Sequence, residues 1–398
     1  MASFLTRRRF LSHSTLIGCS LAASPLVTPM SFAATPGKNR LVVIILRGGM
    51  DGLDVLRPYG DPAYAALRGN AGLDAPNAAV DLDGYFALHP ALRPLMPLWR
   101  DGQLAFAHAV STPYRDKRSH FDGQDMLEAG LQTLSGGTAR DGWLNRVIQH
   151  LPGATGQTAY AIGRAQAGVL NGPAEVQRWS PDSDLILSPQ AVRLARLVMR
   201  DDPLFGNALS QALALAESGS GTTSGDVNSA SGTNTETQIA EFTGARLREE
   251  TRIASFSING WDTHQAQDRG LPRALSRLSD AILTLRDSAG AQVWDKTTVV
   301  AVTEFGRTAH INGSGGTDHG TGGVMVTAGG ALRGGRVVGD WPGLSEAQLY
   351  DRRDLMPTRD LRSLLGWILH SQFGLQKSML ETSVFPDMDL GDDPRLVL

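Results

Sequence analysis

Three continuous apolar runs, each breaking off into glycine and charged residues, limit what this chain can fold into. Residues 299–302 (VVAV) end in Thr303, Glu304, Phe305, Gly306 and Arg307, and a glycine-rich loop then presents Asp318 and His319. Residues 41–46 (LVVIIL) break into Arg47, Gly48, Gly49, Met50, Asp51 and Gly52. Residues 253–258 lead into Asn259, Gly260, Trp261, Asp262, Thr263 and His264. An uninterrupted apolar run of strand length leaves no face for water, which predicts a parallel strand covered on both sides. Open α/β sheets place their sites at the carboxyl ends of such strands, so these ends are expected to converge on one site.

The remaining patterns fit that expectation. Further strands are predicted at 104–110, 159–162, 167–170, 324–328 and 336–338. Helices are predicted at 61–67, with Asp61 as N-cap and Pro62 next, and at 188–199, 239–251, 271–285 and 359–372. Strands alternating with helices give an α/β class with a mainly parallel sheet flanked by helices on both faces. Residues 217–238 (ESGSGTTSGDVNSASGTNTETQ) carry no apolar periodicity and read as a flexible insertion within a single domain, 39–398.

The first residues read as an address. Thr6, Arg7, Arg8, Arg9, Phe10 and Leu11 form a twin-arginine signature, followed by a modest apolar stretch and small residues at Ser31, Ala33 and Ala34. A signal peptide spanning 1–33 and export to the periplasm or beyond by the twin-arginine machinery are therefore expected. Cys19, the only cysteine, sits in a lipobox-like Leu16-Ile17-Gly18-Cys19, but the apolar stretch continues past it, so ordinary cleavage is preferred over lipid anchoring. Cleavage near Ala33 removes the only thiol and with it any disulfide or cysteine metal site. No transmembrane helix is expected in the mature chain. A net charge of -3 gives no electrostatic footprint for nucleic acid.

The polar residues at the strand ends are Asp51, Asp262, His264, Glu304, Asp318 and His319. Carboxylates and imidazoles without cysteine are the ligand set of a Zn, Mn, Ca or Mg site, and without a cation such carboxylates would repel one another. Each has a simpler reading as well: Asp51 satisfying loop N–H groups, Asp262 capping a helix, Glu304 pairing with Arg307. The segment after residue 110 concentrates Ser111, Thr112, Arg115, Lys117, Arg118, Ser119 and His120 before a helix, a setting for an anion or a nucleophile. Ser119 is equally an ordinary N-cap.

The segments LRGGMDGLDVLRPYGDPAYAALR, SHFDGQDMLE, DGWLNR, GWDTH, TEFGRTAHINGSGGTDHGTGG and GGRVVGDWPGL together resemble a family of twin-arginine-exported bacterial proteins known as domain of unknown function 1501. That family is remotely similar to the alkaline phosphatase and sulfatase superfamily. The resemblance implies a metal site at the strand ends, with Asp51 as the first-strand aspartate and Asp262 and His264 as ligands. It sets Glu304-Phe305-Gly306 where the superfamily has Asp-His-Gly, and His319 in the late histidine segment. It places the 111–119 loop at the nucleophile position, without the cysteine that sulfatases convert to formylglycine. The implied activity is metal-dependent hydrolysis of phosphate or sulfate esters on a small molecule or glycan. The nucleophile is Ser111, Thr112, Ser119 or water, with Arg115, Arg118 or Arg307 stabilising the anion and His120 as acid or base. The rival is a degenerate relative that binds a surface glycan, an anion or a protein.

Overall fold

The computed structural model describes residues 38–69, 78–115, 117–133, 141–163, 167–181 and 235–398. The expected signal peptide, the helix expected at 188–199 and residues 217–234 of the expected insertion lie outside them. The last residues of the expected insertion, Thr235 to Gln238, are the first turn of a helix.

The strands in chain order are β1 (Arg40–Arg47), β2 (Leu56–Arg57), β3 (Val80–Asp81), β4 (Ala87–Leu88), β5 (Leu104–Ser111), β6 (Ala159–Ile162) and β7 (Gln177–Trp179), followed by β8 (Ile253–Asn259), β9 (Thr297–Val302), β10 (Gly323–Ala328), β11 (Arg336–Val338) and β12 (Arg359–Asp360). One sheet runs β11-β5-β10-β9-β1-β8-β6-β7, with β12 also paired to β5, and β2-β4-β3 form a small second sheet. Within the large sheet β10 runs against its neighbours β5 and β9, and the other pairings are parallel. The class is therefore the expected α/β one with a mainly parallel sheet, made mixed by the antiparallel β10.

The apolar runs are explained by their two covered faces. Val42, Ile44 and Leu46 of β1 join one core cluster, and Leu41, Val43 and Ile45 join another. The longer helices include α1 (His120–Ala129), α2 (Trp143–His150), α3 (Thr235–Leu247), α4 (Gln267–Ala289) and α5 (Leu361–Phe373). The first cluster takes residues from α3 and α4, among them Leu271, Leu275, Leu278, Ile282 and Leu285 at helical spacing. The second takes Leu127 of α1, Val147 of α2 and Leu365 of α5. Each such side chain contributes about 1.5–3 kcal/mol on leaving water, which fixes the central strands from both sides.

The departures are local and have visible causes. Residues 167–170 are not a strand but contain a 3-10 turn, Gly168–Leu170, and the Val169 N–H donates to Glu128 Oε2 at 2.9 Å instead of to a neighbouring strand. The helix expected at 61–67 spans Tyr64–Arg68, because Asp61 is turned to the Trp341 indole (2.9 Å) and the Leu344 N–H (3.1 Å) as well as to Ala63. The helix expected at 239–251 is α3, Thr235–Leu247. Among the described residues no helix is long and apolar enough to cross a membrane.

Candidate metal centre

Strands β9, β1 and β8 are adjacent, and their register sets Arg47 beside Asn259 and Ile45 beside Val302. The three polar segments that follow them consequently start at one edge. Arg307, buried to 1% exposure, ties them together. Its guanidinium donates to the carbonyls of Gly49 (2.6 Å), Thr317 (2.9 Å) and Trp261 (3.1 Å), and to Asp262 Oδ1 at 2.6 Å. A fixed fork of donors suits this role, and a lysine could not hold the same set. Gly48 permits the approach: with φ +126, any Cβ there would lie 2.6 Å from the Asp262 nitrogen.

Three imidazoles surround Asp262. His264 Nε2 is 3.1 Å and His319 Nε2 3.3 Å from Oδ1, and the two Nε2 atoms are 2.9 Å apart. His120 Nε2 is 3.3 Å from Oδ2, off the hydrogen-bonding direction, so this buried nitrogen has no hydrogen-bond partner. The other nitrogen of each ring is engaged by an acceptor. His264 Nδ1 meets Asp318 Oδ1 (3.1 Å), His319 Nδ1 meets the Arg118 carbonyl (2.8 Å) and His120 Nδ1 meets Glu304 Oε1 (2.8 Å). A carbonyl or carboxylate accepts only, so each Nδ1 carries a hydrogen, and in a neutral ring this leaves the Nε2 lone pair turned inward. Ligand atoms of His120, Asp262 and His319 lie within 4.8 Å of one another, with His264 Nε2 against the last two, and such lone pairs beside a carboxylate repel unless a proton or a metal cation lies between them. Imidazole ligands of metals have their second nitrogen anchored in this way. Phe305 stacks on the His120 ring and packs against His319, with centroids 5.1 and 4.9 Å apart, and so helps fix both planes.

His120 is raised above the ordinary imidazole value by its bond to Glu304 and by the nearby carboxylates, against an opposing effect of burial. Burial lowers His319, and the neighbouring cationic groups add to that, while its bond to the Arg118 carbonyl opposes. Glu304 is fully buried, which alone would push its carboxyl up, yet hydrogen bonds from His120, Gln124 (3.1 Å) and the Gly48 N–H (2.9 Å) hold it below the usual range. Asp262 behaves similarly, burial being outweighed by Arg307. Asp318 is lowered chiefly by its bond from His264.

The structure does not bring every expected residue to this point. Asp51, 1% exposed, receives Arg68 through both oxygens (2.7 and 3.1 Å), Gln267 (2.7 Å) and the Leu53 N–H (3.1 Å). It is thus a buried ion-pair partner and the cap of a short turn, occupied on both oxygens. Glu304 and Asp318 sit behind His120 and His264 instead of facing the centre. The hydroxyl of Ser111 donates to the Thr112 carbonyl (2.9 Å), that of Thr112 lies 3.4 Å from the Glu304 carbonyl, and Ser119 caps α1 through the Asp122 N–H. Arg115 donates to the carbonyls of Thr112 and Tyr114 (2.5 and 2.7 Å). His120, read as an acid or base, stands instead among the inward-facing nitrogens, with Asp262 and His319. Sequence reasoning missed Arg68, Gln267 and Gln124. Of these only Gln124 carried a signal, since it follows His120 at helical spacing and so shares its face.

No curated protein matches the sequence. Among solved structures, the chain is similar to Ps i-CgsB at 10% identity, covering 85% of this chain and 72% of that one, with a TM-score of 0.36. It is similar to the lipoteichoic acid synthase LtaP from Listeria monocytogenes at 9% identity, covering 88% and 76%, also with a TM-score of 0.36. A third similarity is to the C-terminal periplasmic domain of EcEptC from Escherichia coli in complex with Zn, at 10% identity, covering 73% of each chain, with a TM-score of 0.31. The family profile described as protein of unknown function (DUF1501) matches residues 38–381, and the chain belongs to that family.

Proposed function

We propose that this protein is an exported, metal-dependent hydrolase of phosphate or sulfate esters. The observation that carries the reading is the convergence of three anchored imidazoles on Asp262 (3.1–3.3 Å). A nitrogen-rich set with one carboxylate fits Zn better than Mn, Mg or Ca, which prefer oxygen. When bound, the divalent ion would supply Lewis acidity toward an ester oxyanion. His120, His264, His319 and Asp262 would hold it, Asp318 and Glu304 would keep two of the rings in their metal-binding tautomer, and Arg307 would balance the Asp262 charge. The hydroxyls of Ser111, Thr112 and Ser119 are engaged with backbone groups, so solvent water is the nucleophile in this reading. The substrate is a small molecule or a glycan bearing the ester, met outside the cytoplasm after passage through the twin-arginine machinery.

The same orientation of the hydroxyls favours a second reading, a metal-holding protein that binds an anionic glycan or a partner without turning it over. A panel of phosphate and sulfate esters separates the two. The hydrolase reading expects release of inorganic anion that is abolished by a chelator and restored by Zn. It also expects a fall of about 100-fold or more in Asp262→Ala. Fully metal-loaded protein that releases nothing from any ester class would leave only the binder.

A further inference from the structure

Residues 312–316 form a closed loop against the segment that carries His264. The Asn312 N–H donates to the Gly316 carbonyl at 2.8 Å, and the N–H groups of Ala266 and Gln267 donate to the carbonyls of Ser314 (3.2 Å) and Gly315 (3.0 Å). Ala266 takes φ +46 in this run, an uncommon conformation for alanine. Backbone of this kind persists where its surroundings hold it and gathers at functional sites.

The Asn312 carboxamide lies in the middle of the contact. Its oxygen accepts from the N–H groups of Ser314 and Gly316, both at 3.0 Å. Its nitrogen donates to the His264 carbonyl (2.9 Å) and to Asp318 Oδ1 (3.2 Å). Backbone N–H groups only donate and a carbonyl only accepts, so these partners fix which way the amide points. Asp318 Oδ1 is also the oxygen that meets His264 Nδ1, at 3.1 Å. One amide thus holds His264 at its main chain and, through Asp318, at its ring. The Ser314 hydroxyl lies 2.9 Å from the same carbonyl and 3.0 Å from Asn312 Oδ1, so it supports the main chain, and Asp318 is not among its partners.

Asn312-Gly313 is also an ordinary turn pair, but aspartate would serve that turn equally well. What aspartate lacks is the pair of donors. We infer that Asn312 is a positioning residue of the metal centre: its amide nitrogen sets the Asp318 carboxylate on His264 Nδ1 and so keeps His264 Nε2 turned toward Asp262 and His319. The inference rests on the centre proposed above, in which His264 holds a metal, and does not depend on ester hydrolysis.

The test compares Asn312→Asp, Asn312→Ala and Ser314→Ala in the full chain. Aspartate keeps an oxygen for the Ser314 and Gly316 N–H groups and puts an acceptor where both donors were. Zn affinity is measured by competition with a chromophoric chelator. Asn312→Asp and Asn312→Ala are each expected to bind Zn about tenfold more weakly, the low end of the usual effect of removing a group behind a ligand. The added negative charge alone would attract a cation, so a fall in Asn312→Asp reports the lost donors. Ser314→Ala is expected to stay within about threefold. An Asn312→Asp affinity equal to or above that of wild type, or an equal fall in Ser314→Ala, would overturn the inference. Wild-type protein that takes up no Zn fails the reading of the centre, and the His264 ring then decides the positioning role alone. Its tautomer is read in metal-free, nitrogen-labelled protein at about pH 8, above the ordinary imidazole range, with His264→Gln for assignment. Hydrogen confined to Nδ1 in the wild type and spread over both nitrogens in Asn312→Asp supports the role; the same distribution in both overturns it.

Discussion

At the residue scale, the decisive distinction is between the carboxylates that face the centre and those already satisfied elsewhere. Asp262 faces three ring nitrogens, whereas Asp51 is closed off by Arg68, Gln267 and a backbone N–H. The Asp51–Arg68 pair is buried, with side chains 1% and 2% exposed, and removing one partner strands an uncompensated charge. Arg68→Met is therefore expected to lower stability by about 3–5 kcal/mol in urea denaturation; a loss below about 1 kcal/mol would show that the pair is not holding the fold. Asp51 could be seen in the sequence as a carboxylate at a strand end, and nothing there revealed its partner. Arg68 is 17 and Gln267 216 positions away, and a chain read locally cannot tell a ligand from one half of an ion pair. The imidazoles were legible, but their roles were not: the role of His120 depends on Glu304, 184 residues distant.

At the element scale, the sheet was the most legible feature because apolar continuity is a direct consequence of two covered faces. The adjacent β9, β1 and β8 are the three strands whose runs stand out, and the sites follow from their shared edge. Short pieces were less legible, as at Val169, whose N–H is taken by a buried carboxylate. Loops depend on glycine where chain meets chain. At Gly316 an added Cβ would lie 2.3 Å from the His264 carbonyl carbon, so Gly316→Ala must displace the segment bearing His264. We expect metal affinity to fall about 10–100-fold, the usual effect of disturbing the support of a ligand, measured by competition with a chromophoric chelator. Unchanged affinity would mean that the loop accommodates the methyl without moving His264.

At the scale of the whole molecule, acid stability should report two buried imidazoles that are not among the residues of the centre. Burial lowers both His89 and His108 to about 4 from an ordinary value of 6.5. Their folded values lie below their unfolded ones, so the stability they permit is complete above pH 6.5 and is lost as the pH falls toward 4. Each accounts for on the order of 3 kcal/mol across that window. His108 stacks on Phe86 with ring centroids 5.1 Å apart, so His108→Phe keeps an aromatic ring there and removes one titration. The difference in urea stability between pH 7 and pH 4.5 is expected to shrink by roughly half of the two-histidine contribution, and an unchanged difference would contradict the assignment. The point where three strand ends, α1 and the 308–323 loop meet is tested most directly by elemental analysis of protein purified without added metals or chelators. About one divalent ion per chain, retained in Asp51→Asn but lost in Asp262→Ala and His264→Ala, is the predicted result. Protein that neither carries nor can be loaded with a divalent ion, or that keeps it in Asp262→Ala, would contradict the account.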